Sequence, residues 1–438
     1  MRIKRDGSSA KKIKTAACCF MGLGHLLYLR QWIKGALFAL IELIFILFLP
    51  KMISIIGGMI TLGTPKPELP VAQRDNSIFM LIDGILVLAV IAVFVMLYVI
   101  SVKSALTAYE GYTASGQLQK NRDVLKTFAD KGFAATALAP SILLVLFFVV
   151  VPLIFSACVA FTNYSSPDHI PPSNTVDWVG FDNFRAMFGG DAVWSGALGR
   201  VALWTLAWGA LATGTCYLGG LIMATILHDR KLKLVPAFRA IYILPYAVPS
   251  VVSMLVWQNL LNGTFGTVNK TLMALGIIKE AIPWFGNVWL ARFTVVLINL
   301  WAGFPYFMLL ITGTMTSIPA DVYEAASIDG ASRFTTFRKI TLPLVLYQTA
   351  PLIIMSFTHN INNFGAIFFL TNGRPVVSDT TLTSAGGTDL VVTWIYKLTV
   401  TLLKYNYASA LAILVFLVLA PVAIFNFVRT KAFKEGEI

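Results

Sequence analysis

The chain has 438 residues, of which 57% are hydrophobic and 13% are charged, and its mean hydropathy is +0.76. Soluble proteins carry roughly 25% charged residues, so this composition excludes a soluble globular protein and predicts an integral membrane protein. The net charge of +13 is compatible with a nucleic-acid partner. We expect none, because the Lys and Arg residues are concentrated in alternate loops, as in an oriented membrane protein.

Eight apolar stretches reach the roughly 20 residues that a helix needs to cross the hydrocarbon layer. In chain order they are residues 35–60, 78–101, 135–161, 201–228, 237–261, 288–313, 346–370 and 408–427. The sequence therefore predicts an all-α, polytopic membrane protein with about eight transmembrane helices. We divide it into an N-terminal lead-in with two spans and a cytoplasmic loop (1–134) and a six-span core (135–438).

Basic residues occur in every second loop: in the N-terminal tail, after the second span, after the fourth span, before the seventh span and in the C-terminal tail. Cytoplasmic loops of membrane proteins carry the excess of Lys and Arg. Both termini and the segment 317–343 are therefore predicted to lie in the cytoplasm. The loops between them are poorer in basic residues and richer in Pro, Gly, Asn and Asp, and we place them outside.

The cytoplasmic segment 317–343 contains the sequence EAASIDGASRFTTFRKITLP, which ends at Pro343. Pro319 suits the first turn of a helix. Asp329 and Gly330 then supply a turn, because glycine accepts the left-handed conformation that ends many helices. A second helical piece follows and leads into the seventh span. This pattern predicts a compact helix–turn–helix at the membrane surface.

An apolar surface is expected on this segment. The residues that would be exposed to the cytosol, with charged residues around them, are Phe334, Phe337, Ala325 and Ala326. A solvated connecting loop is the alternative, but it would leave this apolar patch uncovered. The sequence therefore favours a docking surface for another protein.

The spacing EAA-x2-DGA-x5-F-x2-I-x-LP resembles the EAA loop of binding-protein-dependent ABC importer permeases, and in particular that of the MalF-like maltose/maltodextrin permeases. The matching residues are Glu324, Ala325, Ala326, Asp329, Gly330, Ala331, Phe337, Ile340, Leu342 and Pro343. The resemblance covers most of the chain from residue 135 onwards and includes ILPYAVPS at 243–250, NLWAGFPYFM at 299–308 and SFTHNINNFGAIFFLTNGRP at 356–375. One departure is the short loop 162–200, where some family members have a large extracytoplasmic domain.

The resemblance implies a type I ABC importer permease fold in a bacterial cell membrane. In that family the EAA loop occupies a cleft of a cytoplasmic ATPase, so Glu324 would pair with a basic ATPase residue and Gly330 would allow the tight turn. The residues assigned to this coupling by resemblance are Glu324, Ala325, Ala326, Asp329, Gly330, Phe337 and Pro343. The implied partners are a second, MalG-like permease subunit, a pair of ATPase subunits, an extracellular solute-binding protein and an oligosaccharide substrate.

Energy for transport must come from outside the chain. It contains no phosphate-binding G-x-x-x-x-G-K-[ST] motif, catalytic residue pattern or metal-ligand cluster, so we expect a non-enzymatic subunit without a cofactor. The alternative is a secondary sugar carrier driven by an ion gradient, which needs ionisable groups at membrane depth. The only acidic residues in predicted spans are Glu42 and Asp83, both in the lead-in. We expect both to pair with polar groups, and the ion-driven carrier is the weaker hypothesis.

Neutral polar residues are concentrated in the sixth and seventh predicted spans. One face of each helix carries Asn299, Gly303 and Tyr306 in the sixth span and Ser356, His359, Asn360 and Asn363 in the seventh. Gly303 would leave room for a ligand, and Trp301 and Tyr306 would provide flat rings. Asn is costly in hydrocarbon unless it is partnered, so these residues either join helices by hydrogen bonds or line a cavity. Two polar faces with aromatic rings favour the cavity.

Uncharged donors and acceptors beside aromatic rings suit a sugar, because its hydroxyls form hydrogen bonds and its C–H faces lie on rings. A charged solute would require Lys, Arg or an acidic residue on these faces, and the sequence has none there. The resemblance agrees, since MalF-like permeases hold maltose at the positions that match these seven residues.

Pro245 and Pro249 lie four residues apart in the fifth predicted span. Proline removes a backbone hydrogen bond and kinks a helix. The kink suits a gate that opens alternately to each side of the membrane, but a static bend has the same sequence pattern.

Overall fold

A computed structural model describes residues 7–70, 73–118, 133–170, 174–228 and 234–428. Within these residues the protein is helical and no β-strand forms; the one β-contact is an isolated bridge between Thr162 and Trp178. The predicted all-α class is confirmed. Much of the predicted orientation rests on basic residues outside the described part of the chain, in 1–6, 119–132, 229–233 and 429–438.

Seven described helices are long and apolar enough to cross a membrane, and a sharply bent pair brings the number to as many as eight. The seven are Trp32–Thr61, Ser77–Ser115, Ala137–Val159, Ala192–Leu227, Val288–Thr316, Arg333–Ile361 and Tyr405–Phe425. The bent pair, Val235–Ala247 and Ser250–Leu260, occupies the place of the fifth predicted span. Numbered one to eight in chain order, these spans match the predicted stretches and confirm the polytopic architecture.

Two of the predicted spans are interrupted. The fifth is broken at Val248 and Pro249, which have extended backbone conformations with ψ of 135° and 128°. The seventh ends at Ile361, and a separate short helix, Phe364–Thr371, follows it. The uninterrupted helix expected over 346–370 is therefore wrong, because Asn side chains bond to nearby backbone groups and compete with the helix.

Residues 1–179 form the first of two compact units. Its first and second spans pack against each other, and a further helix, Gly7–Cys19, packs along the second span. Ile13, Ala17, Ala105 and Tyr109 are buried at this second contact, and Leu29 joins the same cluster. The division after residue 134 that the sequence suggests stays a prediction.

The two acidic residues predicted within spans lie in this first unit and differ in their surroundings. Glu42 is buried and accepts a hydrogen bond from the backbone N–H of Met21, so it has the polar partner expected from the sequence. Asp83 is exposed on the second span and has no hydrogen bond or ion pair within the described residues. Its expected partner stays a prediction.

Residues 180–438 form the second unit, which carries both candidate functional regions. The fourth span is its central helix and packs on the sixth and seventh spans. One buried cluster around it contains Trp204, Trp208, Met254, Val295, Ile298, Ile367 and Leu390. A second contains Cys216, Tyr217, Leu221, Phe307, Met308, Ile311 and Val345. These clusters fix the fourth span against its neighbours, so side chains on its surface have defined positions.

Candidate functional site

The break in the fifth span is the first element of the site. Helices Val235–Ala247 and Ser250–Leu260 meet at 89°. Pro249 has no backbone N–H to continue the first helix, and the extended residues before Ser250 allow a new helix to begin. Irregular backbone at membrane depth is stable only where it is buried in protein or lines a cavity. The predicted kink is confirmed, and its position indicates a cavity beside it.

The break after the seventh span is the second element. Asn363 precedes the short helix Phe364–Thr371, and its Oδ1 accepts a hydrogen bond from the Ala366 N–H at 3.2 Å, as an N-cap. The polar cluster of the seventh span therefore lies at the end of a helix and not inside the continuous span predicted over 346–370. Asn363 belongs to the turn between two helices.

A cavity of about 710 Å³ lies beside these two breaks. Its lining includes every residue predicted from the sequence to bind substrate: Asn299, Gly303, Tyr306, Ser356, His359, Asn360 and Asn363. Val248, Pro249 and Ser250 from the fifth-span break line it as well. Its volume lies within the roughly 300–1,000 Å³ that small-molecule sites occupy.

Asn360 is held firmly in the wall of this cavity. It is 7% exposed, and its Nδ2 donates to Thr213 Oγ1 at 3.0 Å. Its backbone carbonyl accepts a hydrogen bond from Trp208 Nε1 at 3.1 Å. These contacts orient the amide and leave acceptor capacity on Oδ1, so Asn360 has both the interhelical role and the cavity-facing role that the sequence left open.

Gly303 lines the cavity and also lies against the fourth span. A Cβ at this position would lie 2.7 Å from Cys216 Sγ, so the glycine allows the fourth and sixth spans to approach each other closely. Trp301 does not have the ligand-facing role expected for it. Its ring does not line the cavity and packs edge-on against Trp257, with ring centroids 5.4 Å apart.

Three lining residues that carry hydroxyl groups were not identified from the sequence. Tyr246, between the two prolines of the fifth span, faces Tyr306 with ring centroids 6.2 Å apart. Ser250 and Ser253 follow the break and contribute hydroxyl groups. The signal was available, since a tyrosine and two serines interrupt an apolar span, but the prolines alone explain why that stretch looks unusual. Together the two tyrosines form an aromatic wall.

The described lining contains no Lys, Arg, Asp or Glu. It offers amide, hydroxyl and imidazole groups as hydrogen-bond donors and acceptors, with tyrosine rings at 37% and 53% exposure for Tyr306 and Tyr246. Such a surface can bind a neutral polyhydroxylated molecule through both its hydroxyls and its C–H faces. It offers no Lys, Arg, Asp or Glu side chain as the counter-charge of an ionic solute.

The segment 317–343, here called the coupling loop, has the predicted helix–turn–helix form. Its first helix is Ala320–Ile328, preceded by Pro319. Gly330 follows with φ +75°, which is the left-handed conformation expected for it. Ser332 then caps the next helix by accepting the Thr335 N–H at 3.2 Å. From Arg333 this helix continues into the seventh span without a further break until Ile361.

The surface of the coupling loop differs in part from the expected one. Of the residues assigned to coupling, those that are exposed are Glu324, Ala325, Asp329, Gly330 and Pro343. Ala326 is buried, and Phe337 is half-buried against the cluster around Phe307 and Val345. Phe337 therefore anchors the loop, and the expectation that it is exposed is wrong. Phe334 is exposed as expected, and Val322 and Ile328 are further exposed apolar side chains.

Comparison with protein families finds a match over residues 216–430 to the family described as "Binding-protein-dependent transport system inner membrane component". The chain is 37% identical over 415 residues to the galactooligosaccharides transport system permease protein GanP of Bacillus subtilis, covering 94% of this chain and 96% of that one. It is 32% identical over 428 residues to the maltodextrin permease MdxF of the same organism, covering 95% of each chain.

A shorter match links the chain to the maltose/maltodextrin transport system permease protein MalF of Escherichia coli, with 41% identity over 215 residues, 48% of this chain and 41% of that one. Among solved structures, a bacterial ABC transporter involved in the import of alginate aligns with a TM-score of 0.56 and 22% identity. The alignment covers 70% of this chain and 99% of that one. This likeness concerns the fold, which agrees with the type I ABC importer permease fold expected from the sequence.

Proposed function

We propose a cargo on the premise that this chain belongs to the family of binding-protein-dependent transport system inner membrane components. The chain is thus an ABC importer permease and not an ion-driven carrier. The cargo that we propose is a neutral oligosaccharide. Maltose or maltodextrin is the cargo suggested by the EAA-loop resemblance and by the relatives MdxF and MalF. A galactooligosaccharide is the second candidate, favoured by the 37% identity to GanP over almost the whole chain.

The observation that carries this proposal is a cavity whose described lining has no Lys, Arg, Asp or Glu. Its described lining has donors and acceptors suited to hydroxyl groups and two tyrosine rings suited to pyranose faces. The structural neighbour is involved in the import of an acidic polysaccharide. An acidic cargo would find no Lys or Arg side chain for its carboxylates in the described lining, and an unpaired charge is costly in a low-dielectric site.

We place the two chain termini and the coupling loop in the cytoplasm, on the pattern of basic loops. The proposed partners are a second permease subunit, a pair of ATPase subunits at the coupling loop and an extracellular solute-binding protein. The exposed Glu324, Ile328 and Phe334 support docking of another protein at the loop. One solved structure of a similar fold is described as a complex with a periplasmic protein bound to an alginate pentasaccharide.

The seventh span supplies the mechanical link between the loop and the cavity. It runs from Arg333 to Ile361 as 29 residues, or about 43 Å at 1.5 Å per residue. Phe337 anchors its loop end, and Ser356 and Asn360 lie at its cavity end. A displacement of the loop by ATPase closure would therefore move the cavity wall. Movement at the Pro249 break, which also lines the cavity, would be the accompanying change, and we propose this break as a gate.

The cargo is tested with the purified complex in lipid vesicles together with its binding protein. ATP hydrolysis is measured while maltodextrins, galactooligosaccharides and uronic-acid oligosaccharides are added one at a time. We expect stimulation by one of the neutral classes and none by the acidic class. Stimulation by the acidic sugars alone would contradict the proposal.

The site is tested at Tyr306, whose ring lines the cavity. Tyr306→Leu removes the ring, and we expect the sugar concentration for half-maximal ATPase stimulation to rise about tenfold, which corresponds to ~1.4 kcal/mol of stacking and burial. Tyr306→Phe keeps the ring and should change it less than about threefold. The matched control is Tyr347→Leu, because Tyr347 is 83% exposed in the seventh span and does not line the cavity. Equal effects of Tyr306→Leu and Tyr347→Leu would count against the site.

A further inference from the structure

The segment 372–390, here called the cap, joins the short helix Phe364–Thr371 to the helix Val391–Val400. Its backbone is folded back on itself: the Gly387 N–H donates to the Pro375 carbonyl at 2.7 Å. The cap has no regular secondary structure apart from a single helical turn. Its shape therefore depends on contacts with the spans around it.

Asp389 is the buried centre of the cap. It is 1% exposed, and its Oδ2 lies 2.7 Å from Lys397 Nζ, which also donates to the Asn372 carbonyl at 2.8 Å. Its Oδ1 accepts from Thr393 Oγ1 at 2.8 Å. Gly373 packs directly on this carboxylate, since a Cβ there would lie 2.2 Å from Oδ1. Every part of this ion pair is thus enclosed and hydrogen-bonded.

Arg200 of the fourth span holds a second part of the cap. Its Nη2 donates to both carboxylate oxygens of Asp379 at 2.8 and 2.7 Å, and its Nη1 donates to the Gly386 carbonyl at 2.8 Å. The two side chains are 25% and 18% exposed. A charge pair that is mostly shielded from water and completed by backbone hydrogen bonds constrains geometry more than a surface pair does.

The same face of the fourth span contacts both the cap and a residue of the cavity wall. Arg200, Trp204 and Trp208 are spaced at i, i+4 and i+8, so they lie in one row along the helix. Trp204 Nε1 donates to the Thr388 carbonyl in the cap at 3.1 Å. Trp208 Nε1 donates to the carbonyl of Asn360 in the cavity wall. This row of side chains therefore fixes the position of the cap relative to the cavity wall.

The short helix Phe364–Thr371 forms a second connection. Its outer end is fixed to the cap, because Thr371 Oγ1 lies 2.8 Å from Thr388 Oγ1. Its inner end is capped by Asn363, which lines the cavity. Its eight residues separate the two ends by about 12 Å. A helix this short and this well packed moves as a rigid body, so the cap determines where Asn363 lies.

We propose that Arg200 and Asp379 are positioning residues for substrate recognition: by holding the cap, they fix the outer end of the short helix and thereby the position of Asn363 in the cavity. The assignment of the cavity as a sugar site rests on the proposed function. The mechanical part, in which the cap controls Asn363 through the short helix, stands on the contacts above.

The mechanical part is tested by hydrogen exchange on the assembled complex without added sugar. Asp379→Asn keeps the size of the side chain and removes its charge. We expect the amides of 364–371 to exchange about tenfold faster, since a hydrogen-bonded charge pair that holds their outer end is lost. Asp379→Glu keeps a carboxylate and should remain within about threefold of the unaltered protein. Unchanged exchange of 364–371 in Asp379→Asn would overturn the inference whatever the cargo is.

The recognition part is tested on the same variants in vesicles with the cargo that stimulates the unaltered complex. We expect Asp379→Asn to raise the half-saturating sugar concentration about tenfold while the maximal rate at saturation changes less than about twofold. A loss of maximal rate with unchanged half-saturation would overturn the positioning role. Failure of every sugar to stimulate the unaltered complex would instead contradict the proposed function and leave the exchange result as the test of the cap.

Two further variants separate this effect from general loss of an ion pair. Asp182→Asn removes an exposed pair in the same unit, since Asp182 and Arg185 are 64% and 80% exposed, and it should alter neither readout. Thr388→Val breaks the link to Thr371 without touching any charge and should reproduce the faster exchange of 364–371. An equal response in Asp182→Asn, or a normal response in Thr388→Val, would count against the proposal.

Discussion

The coupling loop and the cap both turn at a glycine with positive φ, but they are built in opposite ways. Gly330 in the loop has φ +75° and Gly373 in the cap has φ +77°. A Cβ at Gly330 would meet nothing within 4 Å, whereas at Gly373 it would lie 2.2 Å from Asp389. The same backbone conformation is thus open to its surroundings in one region and fully enclosed in the other.

The charged residues of the two regions differ in the same way. Glu324, Asp329 and Arg338 of the loop are exposed and make no ion pair within the described residues. In the cap, Asp379 and Asp389 are each paired with a basic residue of a neighbouring helix. A segment that binds a partner leaves its polar groups available, whereas a segment that holds itself in place satisfies them internally. The comparison therefore predicts that cap variants lose stability and loop variants lose coupling.

The largest effect is expected for the buried ion pair of the cap. Asp389→Asn leaves Lys397 with only 12% side-chain exposure and no counter-charge, and we expect a loss of about 3–5 kcal/mol in unfolding free energy. The matched loop variant, Glu324→Gln, should change stability by less than ~0.5 kcal/mol because its side chain is exposed. It should nevertheless lose substrate-stimulated ATP hydrolysis. Thermal unfolding of the purified protein and ATPase assays of the complex measure the two outcomes; similar unfolding temperatures for both variants would break the comparison.

Substitution of the two turn glycines by asparagine should give the next largest difference in unfolding free energy between the two regions. Asparagine tolerates the left-handed conformation, so Gly330→Asn should be accepted with a change below ~1 kcal/mol. Gly373→Asn forces a side chain into the Asp389 carboxylate, and we expect a loss of about 2–3 kcal/mol from overpacking. The unfolding midpoints in detergent compare the pair directly. A smaller loss for Gly373→Asn than for Gly330→Asn would show that the cap is looser than its contacts indicate.

The substitution Gly330→Val tests whether coupling depends on the shape of the turn in the coupling loop. A β-branched residue is strained at φ +75°, by about 1–3 kcal/mol, so the turn between the loop helices should change shape. We expect normal amounts of protein in the membrane but at least a tenfold loss of substrate-stimulated ATP hydrolysis. Gly313→Ala is the control, because Gly313 lies near the end of the sixth span with open space around it and an ordinary helical conformation. Normal coupling in Gly330→Val would refute the assignment of the loop.

The smallest predicted effect is a loss of folding stability at acidic pH, and it should arise in neither the coupling loop nor the cap. His25 is fully buried in the first unit, and this burial lowers the pKa of its imidazole below the ordinary value of 6.5, with Lys34 acting in the same direction. Gln31, whose Oε1 lies 2.8 Å from His25 Nδ1, opposes the shift. The unfolded chain therefore takes up the proton first, and stability should fall as the pH drops below about 6.5, by at most ~1.4 kcal/mol per pH unit.

The histidine variant tests this origin of acid sensitivity. His25→Gln removes the titrating group, and the decrease in unfolding temperature between about pH 6.5 and pH 5 should become smaller. Cap variants such as Asp379→Asn should retain the full decrease. If His25→Gln behaves like the unaltered protein, the acid response comes from another group.

The spans and the cavity residues could be predicted because their signals are local. Each span is a continuous apolar run, and polar residues such as Asn299 and Asn360 are conspicuous inside such runs. Helical spacing then assigns them to one face, whether or not the helix continues. For that reason the break before Asn363 was not predicted, although Asn363 does line the cavity. The left-handed turn at Gly330 was equally local and equally predictable.

The remaining features depend on contacts between distant parts of the chain. Arg200 and Asp379 are 179 residues apart, and no local pattern indicates that they pair. The burial of Phe337 results from its contact with the core around Phe307, and the need for glycine at 303 arises from Cys216 on another span. Tyr246 was overlooked because the neighbouring prolines suggested only a bend. Sequence patterns identified the residues, and packing determined their roles.

The unbroken helix from Arg333 to Ile361 also sets a rule for insertions and deletions. Each residue added to an α-helix rotates the rest of the helix by about 100° and advances it by about 1.5 Å. One extra residue between Phe337 and Ser356 would thus turn Ser356 and Asn360 out of the cavity while the anchor stayed in place. Four extra residues would nearly restore the angle but lengthen the rod by about 6 Å. The number of residues between Phe337 and Ser356 therefore matters for the link between loop and cavity as much as their identity does.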